Sequence, residues 1–164
     1  MIQFSLFRAS VPDDFARIEN MMQFYVYDFS EWLPLHFSDS GLYTLRPKEA
    51  YFAHPATKAF SIIVDGNIAG FACIDNEDCD ADCTYNLGYL FIARGYRGQG
   101  LGVAVIKEIL RQFMGRWQIF YINQNDGAAR FWKKAIPHLS GGEFTQRQQE
   151  IDGCDCTVYK FESL

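Results

Sequence analysis

The polar and apolar positions of the chain change period several times. Ile2, Phe4 and Leu6 alternate with Gln3 and Ser5, the two-residue period of a half-buried strand running to about Arg8. Phe15, Ile18, Met22, Tyr25 and Val26 then fall on one face of a helix, and Ser10-Val11-Pro12-Asp13-Asp14 reads as its start. Residues 36–58, interrupted by Gly41, Pro47 and Pro55, have little period and predict a loop with one short helix around residues 47–52. Phe60, Ile62 and Val64 alternate, Asp65-Gly66-Asn67 turns the chain, and residues 68–74 return as a second strand. The apolar, aromatic run at residues 87–92 reads as a buried strand. Leu101, Val105, Ile109 and Phe113 recur at helical spacing until Gly115. Residues 117–122 form a fifth strand, and an amphipathic helix follows. Residues 143–151 and 154–161 make a second hairpin about Asp152-Gly153. The predicted order is β-α-α-β-β-β-α-β-α-β-β, a mixed α/β domain over residues 1–164 without repeat or linker.

Composition narrows the class. The 164 residues are 49% apolar and 21% charged, enough for one domain with a real core. A net charge of −5 argues against non-specific nucleic-acid binding and is compatible with a cationic ligand. The N-terminus lacks a basic leader followed by an apolar segment, and no run reaches membrane-spanning length. The expectation is a cytoplasmic protein with no membrane partner. Five cysteines cannot all pair, so thiols are expected in a reducing compartment. Cys79-x3-Cys83 and Cys154-x-Cys156 have poor zinc spacing and no nearby histidine, so no metal is expected. Asp78-x-Asp80-x-Asp82 begins like a calcium loop. Cys83 and Tyr89 then stand where Gly and Glu are needed, and the stretch reads as a solvated acidic loop.

The chemistry concentrates where the strand at 87–92 meets the next helix. Gly95, Gly98, Gly100 and Gly102 lie in that connection, beside Arg94 and Arg97. A helix start offers N–H groups without intrahelical partners and a positive dipole end. Glycines let an anion approach those groups closely, so the loop reads as a cradle, above all for a diphosphate. No Lys-Ser or Lys-Thr follows the glycines, which excludes a P-loop, and Gly98-Gln99-Gly100-Leu101-Gly102 misses the dinucleotide fingerprint by one residue.

Arg97-Gly98-Gln99-Gly100-Leu101-Gly102, with Leu90-Phe91-Ile92-Ala93-Arg94-Gly95-Tyr96 before it, resembles the signature of the GNAT superfamily of N-acetyltransferases. Asn125, Ala128 and Trp132 resemble that family's second signature. The resemblance implies a single-domain acyl-CoA N-acyltransferase fold, with a central, mostly antiparallel sheet flanked by helices. It implies direct acetyl transfer from acetyl-CoA to a primary amine on a small molecule or peptide. Cofactor contacts would come from Leu90, Phe91, Ile92, Arg97, Gly98, Gln99, Gly100, Leu101, Gly102, Asn125 and Trp132.

Two departures affect catalysis. Trp132 stands where the family often has a Tyr acid, and an indole N–H only donates. Tyr85, Asn86 and Tyr89 stand on the fourth strand, where many members carry a Glu base. Asp28 and Glu31, among the aromatics Tyr25, Tyr27 and Trp32 and near His36, are the candidate bases. Tyr121 is the candidate acid, with Tyr89 and Tyr159 as substitutes. Two other classes stay open: a CoA-binding sensor without turnover, and a dimerising interaction module on the same scaffold. Polyamine, antibiotic, amino acid, peptide N-terminus and lysine all remain acceptors.

Overall fold

The computed structural model describes residues 2–10 and 12–163. Along the chain come β1 (Ser5–Arg8), α1 (Phe15–Phe29), α2 (Glu49–Ala53), β2 (Lys58–Val64), β3 (Asn67–Asp75) and β4 (Tyr85–Ile92). A short 3-10 turn (Arg94–Tyr96) leads to α3 (Leu101–Gln112), β5 (Arg116–Ile122), α4 (Asp126–Leu139), β6 (Phe144–Ile151) and β7 (Cys154–Glu162). This is the predicted order. The strands form one open seven-stranded sheet, β1-β2-β3-β4-β5-β7-β6, flanked by the four helices. β1–β2, β5–β7 and β6–β7 pair antiparallel, and β4–β5 pair parallel, in register at Tyr85↔Trp117 and Asn86↔Gln118. The fold class is therefore a mixed α/β sheet, as the sequence predicts.

Both hairpins turn as their residues require. Asp65 and Gly66 have φ of 49° and 78°, and Asp152 and Gly153 have 52° and 76°. Two consecutive left-handed residues match the right-handed twist of paired strands, and Asp-Gly adopts them at little cost. The helix start at residues 10–14 differs from expectation. Ser10 does not cap α1; Asp14 stands at its N-cap and accepts the Ser10 N–H (3.0 Å) and Oγ (3.2 Å). Those hydrogen bonds hold the Asp14 carboxyl below its ordinary range, the backbone bond contributing most. Val11 lies outside the described residues.

The chain divides into two units. The first comprises Met1–Cys73 and Tyr89–Arg97. Its core is Ile18, Met22, Leu45, Phe52, Ala59, Phe71 and Cys73, with Phe15, Tyr25, Tyr89 and Phe91 packed around it. The 3.6-residue stripe of α1 thus meets the inward positions of β3 and β4. One backbone approach is unusually close: a Cβ built on Gly70 would lie 2.0 Å from the Phe91 carbonyl oxygen. No side chain fits there without moving a strand.

The second unit comprises Ile74–Gly88 and Gly98–Leu164. α3 buries Leu101, Val105, Ile106, Ile109 and Leu110, and α4 buries Trp132, Ala135, Ile136 and Leu139. Trp117, Ile119, Val158 and Tyr159 of β5 and β7 are also buried. Each such Leu, Ile or Val side chain contributes roughly 1.5–3 kcal/mol. The indole N–H of Trp117 reaches the Phe113 carbonyl at 2.8 Å, so its burial leaves no donor unmet.

Candidate active site

In the first unit, the end of α1 meets the residues that lead into the glycine loop. Asp28 Oδ1 accepts from Arg94 Nη2 (3.2 Å), and Asp28 Oδ2 accepts from Arg97 Nη2 (2.5 Å). Arg97 also donates Nε to the Ile92 carbonyl (2.6 Å), and its guanidinium lies 5.6 Å from the Phe91 ring centroid. Three contacts therefore fix Arg97, with its fork spent on a carboxylate and a backbone oxygen. Beside these groups opens a pocket of ≈ 460 Å³, walled by Met21, Phe24, Ile68, Phe91 and Ala93 and edged by Tyr27, Asp28 and the two arginines.

The other candidates of this unit divide between rim and core. Glu31 is exposed just past α1, its N–H bonded to the Asp28 carbonyl at 3.3 Å. Tyr25 is enclosed, packing against Tyr89 and Phe29 with ring centroids 5.3 and 4.6 Å away. Burial, then the neighbouring Tyr89 phenol, drives its hydroxyl far above the ordinary range, so Tyr25 holds its proton. Leu90, Phe91 and Ile92 are half-buried on β4.

In the second unit, Gly98 and Gly100 are left-handed, with φ of 75° and 81°. No heavy atom lies within 4 Å of a Cβ built on either. Gly100 is the N-cap of α3, and no side chain caps that helix. Gln99 is exposed and Leu101 buried. Gly102 differs from the other glycines: a Cβ there would meet Phe131 of α4 at 3.3 Å, so its small size serves helix packing.

Asn125 is the N-cap of α4, and its Oδ1 accepts the Ala128 N–H at 2.8 Å. The Asn-x-x-Ala spacing thus has a local cause as a helix cap. Trp132 is buried in α4 and packs edge-on against Phe131, centroids 4.8 Å apart. Tyr121 is buried on β5, 6.2 Å ring to ring from Tyr159. Burial first, then Tyr121, pushes the Tyr159 hydroxyl up to about 12.

Two features escape sequence reasoning. The Asp28 pairs join positions 66 and 69 residues apart, a relation no local pattern carries. The acidic loop, expected to be solvated, is largely exposed and is stapled as well. Asp80 binds Arg147 (2.7 Å) and Lys160 (3.0 Å), and Asp82 binds Arg116 (2.8 Å) and Lys160. The excess of acids there is visible in the sequence, but their partners lie on β5, β6 and β7.

A mixed sheet whose fourth strand runs through a glycine turn into a helix without a side-chain cap defines the α/β domain. The profile described as the acetyltransferase (GNAT) family matches residues 19–136, and the chain belongs to that family. No curated protein matches it. Among solved structures, an acetyltransferase from Thermus thermophilus superposes with a TM-score of 0.68 at 16% identity, covering 99% of each chain. The ribosomal-protein-S18-alanine N-acetyltransferase of Escherichia coli gives 0.59 at 14% identity, covering 98% of this chain and 94% of that one. A mutant spermidine N-acetyltransferase from Vibrio cholerae gives 0.59 at 10%, with the same coverage. These likenesses establish a shared fold.

Proposed function

We propose that the protein transfers the acetyl group of acetyl-CoA directly to a primary amine on a small molecule or peptide. One observation carries the reading: α3 starts at a left-handed glycine with no capping side chain and open space above it. The N–H groups of such a helix start suit a diphosphate, with Gly98, Gln99, Gly100, Leu101 and Gly102 lining the turn and Arg97 preceding it. Bound acetyl-CoA supplies an acetyl group activated as a thioester. Backbone groups of Leu90, Phe91 and Ile92 would orient the cofactor arm, with Asn125 and Trp132 as its further contacts.

An amine attacks only when neutral, so a carboxylate must take its proton. Asp28 and Glu31 are the candidates. Both Asp28 oxygens are engaged by guanidinium groups, whereas Glu31 is exposed, which favours Glu31. Tyr121 is the candidate acid for the leaving thiolate. A cytoplasmic site of action accords with an odd cysteine count, which a complete disulfide framework does not allow. The second reading, a CoA sensor without turnover, is favoured by Trp132, which has no acidic proton to give.

The test is thiol release from acetyl-CoA against a panel of amines at about pH 7 to 9, where deprotonation becomes accessible. CoA-induced change in melting temperature is read in parallel. Turnover with one amine class is the expected result, and Arg97→Glu should erase the thermal shift. Binding without turnover of any amine would move the conclusion to the sensor. A wild-type protein whose melting temperature ignores CoA would overturn both.

A further inference from the structure

Cys79 and Cys83 meet in the loop between β3 and β4. Their Sγ atoms are 2.6 Å apart, and both residues are half-buried. The sequence between them explains the encounter. Cys83 N–H bonds back to the Asp80 carbonyl at 2.9 Å, a turn that brings the two cysteines together. Asp80 and Asp82, the charged residues inside that turn, are pinned by Arg147, Lys160 and Arg116. The thiols are therefore held face to face by charges anchored on three strands.

We propose that Cys79 and Cys83 form an oxidation site that closes to an intrachain disulfide when the protein meets a hydroperoxide. The Cys83 thiolate attacks one peroxide oxygen. The O–O bond breaks, water or an alcohol leaves once protonated, and Cys83 becomes a sulfenic acid. Cys79 sulfur then attacks Cys83 sulfur. The S–S bond forms, the S–O bond breaks, and the hydroxyl departs as water with the Cys79 proton. Two thiols lose two electrons to one hydroperoxide.

The contact brings the thiols together, and their different surroundings divide the roles. The contact with Cys79 lowers the Cys83 thiol below its ordinary value against the effect of burial, with the Tyr85 backbone (3.1 Å) and then the Lys160 charge also lowering it and Asp80 opposing. The same contact, then burial, raises Cys79, which keeps its proton until the second step. The remaining cysteines are internal controls. Cys73 and Cys156 are buried, and burial, then Cys154, pushes the Cys156 thiol up to about 11. Cys154 is half-buried, and Cys156 donates to its backbone oxygen at 3.4 Å. This inference does not depend on the acetyl-transfer reading.

The experiment treats the whole folded protein with hydrogen peroxide, alkylates it after denaturation and maps the peptides. The peptide holding Cys79 and Cys83 should lose two hydrogens and resist alkylation, at least about tenfold faster than Cys154 reacts. Dithiothreitol should restore both sites. In Cys79→Ser, Cys83 should accumulate as a sulfenic acid that dimedone traps, a readout independent of disulfide detection. The proposal is overturned if both thiols stay alkylatable at a dose that oxidises Cys154. It is equally overturned if Cys83 passes to sulfinic acid in the wild-type protein, or if the disulfide found joins other cysteines.

Discussion

The helices α3 and α4 belong to the same unit yet begin in opposite ways. α4 opens on Asn125, whose side chain satisfies the Ala128 N–H at 2.8 Å. Its first turn also carries Asp126, a negative charge at the positive dipole end. α3 opens on Gly100, with no side-chain cap and no acid in its first turn. One helix completes its own electrostatics; the other leaves its N–H groups and dipole to be met from outside. A glycine N-cap by itself costs only a few tenths of a kcal/mol, so the fold tolerates the uncapped start. The difference teaches that the binding feature proposed here is recognised by an omission, set beside a neighbour that shows what completion looks like.

The most severe way to break the contrast is to give α3 the start that α4 has. Asp tolerates left-handed φ better than most residues, so Gly100→Asp should fold. Its carboxylate would occupy the helix start and repel a diphosphate. CoA affinity should fall by about a hundredfold, on the order of the 3 kcal/mol expected for a charge opposed at close range. Titration calorimetry reads this directly; unchanged affinity would mean that the phosphates bind elsewhere.

The converse change is milder. Asn125→Ala strips the cap from α4 and should destabilise the protein by about 1 kcal/mol, whereas Asn125→Asp should retain most of it. Urea unfolding measures both, and an alanine variant as stable as wild type would remove the capping explanation. The smallest effect lies near the far end of α3. Glu108 is bonded by Arg111 at 2.7 and 3.0 Å and by Gln112 at 2.7 Å, with Arg111 acting most strongly, and its carboxyl is lowered to about 2. A depressed carboxyl stabilises above its unfolded value of about 4.3 and loses that contribution as pH falls toward about 2. Because the pair is solvated, Glu108→Gln should cost at most about 0.5 kcal/mol at neutral pH and nothing once Glu108 is protonated. Equal cost at both ends of that window would exclude the ion pair as the cause.

Much of the fold is legible in the sequence because its determinants are local. Phe60, Ile62 and Val64 alternate as a strand must, and the two Asp-Gly turns require left-handed backbone that few other pairs adopt. The glycine loop is legible for the same reason: Gly98 and Gly100 are left-handed where a side chain would be strained. Gly102 reads as part of the cradle, and its close approach to Phe131 is not legible because that neighbour is distant in sequence. The Asp28 link to Arg94 and Arg97 and the stapling of Asp80 and Asp82 depend on strand order, which periodicity does not encode. Ser10 and Asp14 show a subtler limit. Both residue types can cap, and the spacing alone does not say which accepts from the other.

The staple at Lys160 has a consequence for the protein's own nucleophiles. Its ammonium lies between Asp80 and Asp82, and hydrogen bonding to Asp82 first, against some desolvation, raises its pKa. An ammonium has no lone pair to offer an activated acyl group. The charges that hold the loop in place thereby also keep Lys160 from acting as a nucleophile.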